Sequence, residues 1–135
     1  EDSISYKEFT ASDSNDIGSV VQSAIEYADV IYIPTDNTMA QNTEAINNIA
    51  LPAGVPIIAG EEGICSGCGV ATLSISYYDI GYKAGEMAYD ILVNGADIST
   101  MNVESAPQVT KEYNKDICDQ LGITIPDDYT AIETN

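Results

Sequence analysis

The spacing of apolar residues changes along the chain between strand-like and helix-like patterns. Near the N-terminus, Ile4, Tyr6 and Phe9 have strand-like spacing, and the polar stretch "ASDSND" ends this segment. From Ile17 the apolar positions follow the period of an amphipathic helix, with Ser14 or Asn15 as the N-cap. The next apolar run, residues 30–33, is continuous, which predicts a strand buried on both faces.

The remaining chain repeats this alternation. A helix is predicted from about Thr38 to Ala50, followed by the strand "VPIIAG", the glycine-rich loop "EEGICSGCG" and the strand "VATLSIS". A third helix, from Asp79 to Asn94, is predicted to bury one apolar stripe: Ile80, Ala84, Met87, Ala88, Ile91 and Leu92. The last segments are a looser "MNVESAPQVT", a helix over residues 112–121 closed by Gly122, and a tail around Pro126.

This order predicts an α/β fold with three α-β-α layers and a mainly parallel sheet. Such folds bind ligands outside the carboxyl ends of their strands. The loops after Phe9, Ile33, Ala59 and Ile75 are therefore expected on one edge of the sheet, here called the rim.

Three rim loops, "PTDNT", "GEEG" and "SYYD", are more polar than turns require. The candidate ligand-binding residues in them are Thr35, Asp36, Asn37, Thr38, Glu61, Glu62, Tyr77 and Tyr78. The structural alternative for the first loop is that Thr35 or Asp36 caps the following helix. Glu61 and Glu62 have the chemistry to exchange protons or to receive a cationic group. Tyr77 and Tyr78, placed in a strand, would point to opposite faces.

Composition and charge restrict the classes of function that the chain can have. The chain has 135 residues, enough for one core, and its 22 acidic residues against 4 lysines give a formal charge of −18. This charge argues against binding to nucleic acid or to anionic membranes. The chain has no histidine, and no nucleophile is paired with a base, so binding is favoured over catalysis.

The cysteines do not match a known reactive pattern. Cys65 and Cys68 form "CSGC", and Cys118 leaves the count odd. A thioredoxin-like pair would begin a helix, whereas this glycine-rich stretch is predicted to be a loop. A zinc site needs four ligands, more than the cysteines supply. Incidental or disulfide-paired cysteines in a loop are therefore expected, with no metal and no cofactor.

Four segments together carry a family resemblance: "ADVIYIPTDNTMA", "GVPIIAGEEG", "ATLSISYYDIGYKAGEMAYDILVNG" and "LGITIPDD". From about Asp13 to Asp128, the chain resembles ABC-transporter substrate-binding proteins of the tryptophan- and tyrosine-binding-like family. Their fold is that of type I periplasmic binding proteins, with two Rossmann-like lobes around a ligand cleft.

The resemblance implies that this chain is the C-terminal half of such a protein. Residues 1–70 and 101–130 would form the second lobe, and residues 71–100 would be a strand and helix of the first lobe. The chain also begins almost inside its first predicted strand, so further sequence is expected before it. A chain truncated in this way is expected to dimerise or exchange elements through its exposed apolar surface.

The implied function is solute binding for an ABC import system, outside the cell membrane or in the periplasm, as a lipoprotein whose leader is not in this chain. The ligand would be an amino acid, with aromatic ones as candidates, and the partner would be the membrane permease. Asn37 and Thr38 would hold the ligand carboxylate, and Asp36 or Glu62 the ammonium group. The alternatives are a stand-alone flavodoxin-like domain and the ligand-sensing domain of a transcription regulator.

Overall fold

The computed structural model describes residues 4–106 and 108–133, which form an α/β fold with a mainly parallel sheet, as predicted. The helices are α1 (Ile17–Ile25), α2 (Asn37–Ala40), α3 (Thr43–Ala50), α4 (Glu62–Cys68), α5 (Tyr77–Leu92) and α6 (Lys115–Leu121), with a 3₁₀ turn at Ile98–Thr100. The strands are β1 (Ile31–Ile33), β2 (Ile57–Ala59), β3 (Ala71–Ile75), β4 (Val109–Tyr113) and β5 (Thr130–Ala131).

The five strands lie in the order β1-β2-β3-β4-β5. Strands β1, β2 and β3 are parallel, β4 is antiparallel to β3, and β5 is parallel to β4. One row of residues crosses the whole sheet: Ile33, Ala59, Thr72, Glu112 and Thr130. Because Ile33 and Ala59 end their strands, this row marks the rim, and β3 continues beyond it to Ile75.

The main core joins three helices to the first strands. It contains Ile17 and Val21 of α1, Ile46 of α3, and Ile64 of α4, packed with buried residues of β1 and β2. A smaller cluster contains Val70, Ile117 and Cys118. Alternate residues of the central strands are exposed instead: Tyr32, Ile58 and Leu73. The helices of the main core thus leave the face of the sheet that carries these three residues accessible, and association through it stays a prediction.

The predicted N-terminal strand is wrong for the described residues, which begin at Ile4. Residues 4–10 form no strand, and both Ile4 and Tyr6 are exposed. Phe9 packs against Tyr27 of the loop after α1, with the ring centroids 6.1 Å apart. A strand requires a neighbouring strand to satisfy its backbone groups, and within the described residues none pairs with the outer edge of β1.

The helix predicted over residues 38–50 is divided into α2 and α3. Asn42 lies at the division, where its side-chain amide donates to the Thr38 carbonyl oxygen at 2.7 Å and to Ser14 Oγ at 3.2 Å. A side chain that bonds to backbone groups in this way competes with the helical ladder. This explains the interruption between two otherwise helical segments.

The stretch predicted as the loop "EEGICSGCG" is mostly helical, since α4 spans Glu62–Cys68. The Glu61 carboxylate caps its N-terminus, and Ile64, Cys65 and Cys68 are buried on one side. Glycines lower intrinsic helix propensity, but burial of this apolar face outweighs that cost. The loop prediction is wrong because it relied on local propensity, whereas packing decides the structure of this segment.

Helix α5 has nearly its predicted bounds, but the predicted burial of its apolar stripe is wrong, because none of its residues is buried. An amphipathic face is buried only where another element covers it, and in the described residues no element covers α5 in this way. Within the same part of the chain, no helix is both long and apolar enough to cross a membrane.

Strand β3 is hydrogen-bonded into the same sheet as its neighbours β2 and β4. The predicted division of the chain places this strand with the other lobe, together with the helix that follows it. In this structure the strand belongs to the sheet formed by the flanking residues, and the division of the chain between two lobes otherwise stays a prediction.

The last predicted helix begins later than expected, because residues 109–113 form β4. The Asn114 side chain caps α6 by accepting from the Ile117 N–H at 3.2 Å. Its amide also donates to the Ser66 carbonyl oxygen at 2.8 Å, which ties α6 to α4. Gly122 ends the helix in the left-handed conformation, with φ of 67°, as its predicted role requires.

Candidate functional site

Two of the polar rim loops are in direct contact. Thr35 Oγ1 donates a hydrogen bond to the Gly60 carbonyl oxygen at 3.1 Å. A side chain at Gly60 would bring its Cβ within 2.6 Å of the Thr35 backbone nitrogen, so only glycine fits this approach. The loops "PTDNT" and "GEEG" therefore form one continuous polar surface, as parallel strands β1 and β2 predict.

Asp36 and Glu61 serve as helix caps in this surface. Asp36 Oδ1 accepts from the Met39 N–H at 2.8 Å, at the N-terminus of α2. Glu61 accepts from the N–H groups of Gly63, at 2.9 Å, and Ile64. These bonds satisfy backbone donors that a helix start leaves free. The capping alternative for Asp36 is thus correct, and Glu61 has the same role one strand further along the sheet.

The other candidate ligand-binding side chains on the two loops do not act as the N-caps of α2 and α4. Thr35 and Asn37 are exposed, and Thr38 is half-buried in the first turn of α2. Glu62, in the first turn of α4, is also exposed. Hydroxyl, amide and carboxylate groups are thereby placed on one accessible edge, which suits the binding of a small polar molecule.

Tyr77 and Tyr78, predicted in the rim loop "SYYD", open helix α5, so the alternation expected of strand residues does not apply to them. The Ser76 side chain caps this helix by accepting from the Asp79 N–H at 3.1 Å. Both tyrosines are exposed, and the ring of Tyr78 stacks on that of Tyr82 with centroids 6.4 Å apart. They follow the carboxyl end of β3 and so extend from the same edge of the sheet as the two loops.

Sequence reasoning missed two residues in the row that marks the rim, Thr72 and Glu112. Thr72 is 2% exposed, whereas the apolar neighbour Leu73 is 54% exposed, so polar residues of β3 face the helices. The Thr72 Oγ1 and Glu112 Oε2 atoms are buried, and neither has a hydrogen-bond partner in the described parts of the chain. The signal is the alternation in "ATLSI", where Thr72 and Ser74 share one face of the strand. The prediction used only the apolar residues on the opposite face.

The electrostatics of Glu112 set it apart from the other carboxylates. Burial raises its pKa above the ordinary value, and the negative charge of Glu62 raises it further. Both effects disfavour the ionised form. A positively charged group placed between Glu112 and Glu62 would reverse them.

The cysteines are core residues rather than a reactive pair. Cys65 and Cys68 lie in the C-terminal part of α4, and burial raises the pKa of each thiol to about 12. Burial also raises the pKa of Cys118. A reactive cysteine requires a lowered pKa, as at a helix N-terminus. Among the residues described, no group of three or more His, Cys, Asp or Glu side chains is arranged to hold a metal ion.

We expect the three thiols of the native protein to resist labelling by an aromatic disulfide reagent at pH 8, because all three are buried and protonated. Absorbance of the released thiolate measures the reaction, and the same sample unfolded in guanidinium is the control, in which all three should react. Rapid labelling of the folded protein would contradict the packing described here.

Comparison with known proteins identifies the family. The family model described as ABC transporter substrate binding protein matches residues 1–134. The tyrosine-binding protein of Clostridioides difficile is 32% identical over 105 residues, covering 78% of this chain and 30% of its own length.

Solved structures agree with this similarity. A ligand-free, open substrate-binding protein with adhesive properties from Clostridium difficile has a TM-score of 0.72 at 34% identity, covering 90% of this chain and 42% of its own. A conserved domain protein from Vibrio cholerae has a TM-score of 0.77 at 31% identity, with the same coverage of both chains. An ABC domain in complex with L-Trp from Streptococcus pneumonia has a TM-score of 0.76 at 28% identity, over 88% of this chain and 40% of that one.

The chain thus spans less than half the length of these relatives. The family model matches nearly the whole chain, and the fold is similar to those of the structural neighbours, with TM-scores of 0.72 and 0.77 for the first two. The chain belongs to the ABC transporter substrate-binding protein family.

Proposed function

We propose that this chain supplies one wall of a ligand cleft in a solute-binding protein of an ABC import system. The ligand is a free amino acid, and an aromatic one is the first candidate. Two relatives support this choice, one by its name as a tyrosine-binding protein and one by its complex with L-Trp. The protein works outside the cell membrane or in the periplasm, attached as a lipoprotein, and delivers the ligand to a membrane permease.

The observation that carries this proposal is the hydrogen bond from Thr35 to the Gly60 carbonyl oxygen. It joins two polar loops at the carboxyl ends of parallel strands, where α/β sheets bind their ligands. Asp36 and Glu61 account for the capping of α2 and α4, and Asn37, Thr38 and Glu62 are left for other contacts. A joint polar surface of this kind is best explained as a binding surface.

The side chains divide into two roles. Thr35, Asp36 and Glu61 position the loops, since each is bonded to backbone atoms. Asn37 and Thr38 bind the ligand carboxylate through amide and hydroxyl donors. Tyr77 and Tyr78 at the start of α5 contact the ligand side chain, because exposed aromatic rings bury apolar surface efficiently.

Transport follows from closure of the cleft. A ligand that contacts both walls binds the closed state more tightly than the open state and shifts the population toward it. The permease then recognises the closed form. Closure requires a second wall of the cleft, in addition to the wall that the rim loops form.

The proposal is tested by thermal unfolding of the intact protein, with whatever sequence flanks residues 1–135 in the cell, against the twenty amino acids and common sugars. A true ligand at a hundredfold excess over its Kd stabilises the folded state by about 2.7 kcal/mol. We expect an aromatic amino acid to produce the largest rise in Tm. The absence of a shift with every amino acid would overturn the proposal.

The variant Asn37→Ala is expected to abolish the rise in Tm while leaving the ligand-free Tm close to that of the wild type. Asn48→Ala is the matched control, because Asn48 is exposed on α3, away from the rim loops. Equal loss of ligand-free stability in both variants, with the ligand shift retained, would assign Asn37 a structural role only.

A further inference from the structure

The face of the sheet opposite the main core keeps apolar side chains exposed. Tyr32 and Ile58 are paired across β1 and β2, and Leu73 and Lys111 are paired across β3 and β4. Ile58 is also paired with Ala71, two residues from Leu73, so both pairs lie on one face. Ala71 packs against the smaller core cluster. The part of this face away from that cluster is here called the open face: Tyr32, Ile58, Leu73, Ile75, Val109 and Lys111.

The open face has the composition of an interior surface. The chain has 22 acidic residues, yet none of these six positions is acidic. The one charged side chain, Lys111, is paired with Asp128. Tyr32 is nevertheless 66% exposed and Val109 is 58% exposed. Parallel strands are normally covered on both faces, and a contiguous apolar patch on a protein surface marks an interaction site. The open face is therefore patterned for contact with another apolar surface.

A second uncovered surface lies on helix α5. Its apolar residues recur with the period of a helix and form one side, while its charged residues lie on the other. None of the residues of α5 is buried. The apolar side is here called the α5 stripe: Ile80, Ala84, Met87, Ile91 and Leu92. This amphipathic helix lacks the surface that its pattern requires.

The two surfaces complement each other, but they do not meet within one copy. Helix α5 leaves the sheet after β3, with only Ser76 between them, and packs on neither face of the sheet in the described residues. A helix that lays an apolar stripe on an apolar sheet face is the usual layer arrangement of α/β folds. A second copy of the chain supplies both missing surfaces at once.

We propose that α5 of one copy packs its stripe on the open face of a second copy, and that the second copy returns the same contact in a twofold dimer. Reciprocal exchange of one element is a low-cost route to a symmetric dimer, because each copy uses a surface that it already presents. This inference is independent of the ligand, since neither surface includes a residue of the two polar loops "PTDNT" and "GEEG".

The exposed area is sufficient for such a dimer. The largest contributions come from Tyr32 on the open face and from Leu92 on the stripe, which is 83% exposed. With about 150–250 Å² for a whole aromatic side chain, the two surfaces together offer roughly 800 Å² per copy, which is the area per partner in a standard interface.

Charge opposes this association and so gives it a signature. Each copy carries a formal charge of −18, and two such copies repel each other. Salt screens exposed charges but leaves apolar contacts in place. The dimer is therefore expected to become tighter as the salt concentration rises, whereas an association held by ion pairs would become weaker.

The test is sedimentation velocity of the full 135-residue chain without ligand, over about a hundredfold range of protein concentration. The measurement is made at about 0.15 M and about 1 M salt, where the screening lengths are about 8 Å and 3 Å. We expect a monomer–dimer equilibrium with a lower Kd at the higher salt concentration. A monomer under all these conditions overturns the inference, and so does assembly that continues beyond the dimer.

Single variants locate the two surfaces. Leu73→Glu on the open face and Ala84→Gln on the α5 stripe should each raise the dimer Kd at least tenfold, because both place a polar group in an apolar contact. Val103→Glu is the control for added charge, at a loop position outside both surfaces, and Glu86→Gln is the control on the polar side of α5. Both controls should dimerise at least as well as the wild type after allowance for charge. Wild-type dimerisation of Leu73→Glu or Ala84→Gln would contradict the proposed contact.

A mixture of the two variants tests the reciprocal arrangement. In a dimer of Leu73→Glu with itself, or of Ala84→Gln with itself, both contacts contain a substitution. In the mixed dimer, the unchanged stripe of the Leu73→Glu copy meets the unchanged open face of the Ala84→Gln copy, so one contact is intact. Mixing is therefore expected to restore dimerisation in part. If the mixture sediments as its two components do separately, the helix-on-sheet exchange is overturned.

Discussion

Replacement of Gly60 by alanine is expected to disrupt both the fold at the rim and ligand binding. The added methyl group would lie 2.6 Å from the Thr35 backbone nitrogen and 2.9 Å from the Pro34 carbonyl carbon. Backbone atoms cannot rotate away as a flexible side chain does, so the two loops must separate. Overpacking of this kind costs about 1–3 kcal/mol, and here it also breaks the bond from Thr35 to Gly60.

Urea unfolding measures the first effect, and titration with the amino acid identified for the wild type measures the second. Gly81→Ala is the matched control, because its added methyl group would meet no atom within 4 Å beyond its chain neighbours and the backbone of its own helix α5. Alanine there should be neutral or stabilising by up to about 1 kcal/mol. A Gly60→Ala protein with wild-type stability and affinity would contradict the close approach of the loops.

Replacement of Ile64 by alanine is expected to cost the most stability. Ile64 is 0% exposed and belongs to the main core, where α4 packs with α3 and the sheet. Such a truncation removes buried methyl groups and leaves a cavity, which costs about 2–5 kcal/mol. Because domains are commonly stable by only about 5–15 kcal/mol, this is a large part of the total.

Chemical unfolding compares this variant with two others. Ile64→Val should lose only about 0.5–1.5 kcal/mol, since it removes one methylene group. Ile98→Ala, at a position that is 71% exposed, should differ little from the wild type. Equal effects at Ile64 and Ile98 would show that α4 does not form part of the core.

The residues around Ile64 explain why α4 escaped sequence analysis. Three glycines, Gly63, Gly67 and Gly69, in and next to this short segment favoured a loop, and its two cysteines were expected to be incidental or disulfide-paired residues of that loop. The structure shows a different use for one glycine, because a Cβ at Gly67 would lie 2.2 Å from Thr43 Oγ1. The small residue permits α3 and α4 to approach, which local propensity does not reveal.

The rim was predictable in part. The positions of Thr35, Asp36, Glu61 and Glu62 after two apolar runs placed them on one edge, because parallel strands end together. Their individual roles were not predictable, since capping by Asp36 and Glu61 depends on local backbone geometry. Thr72 and Glu112 were missed because a strand pairing between residues forty positions apart is not a local property.

The sequence by itself determined the α/β class, the amphipathic helix α1, the bounds of α5 to within two residues and the family resemblance. Each depends on a repeated local pattern or on several motifs together. Only the tertiary structure decided which faces are buried: Thr72 rather than Leu73 on β3, and no residue at all on α5. Periodicity shows that a face is apolar, but burial depends on whether another element covers it, and that is decided by contacts between distant parts of the chain.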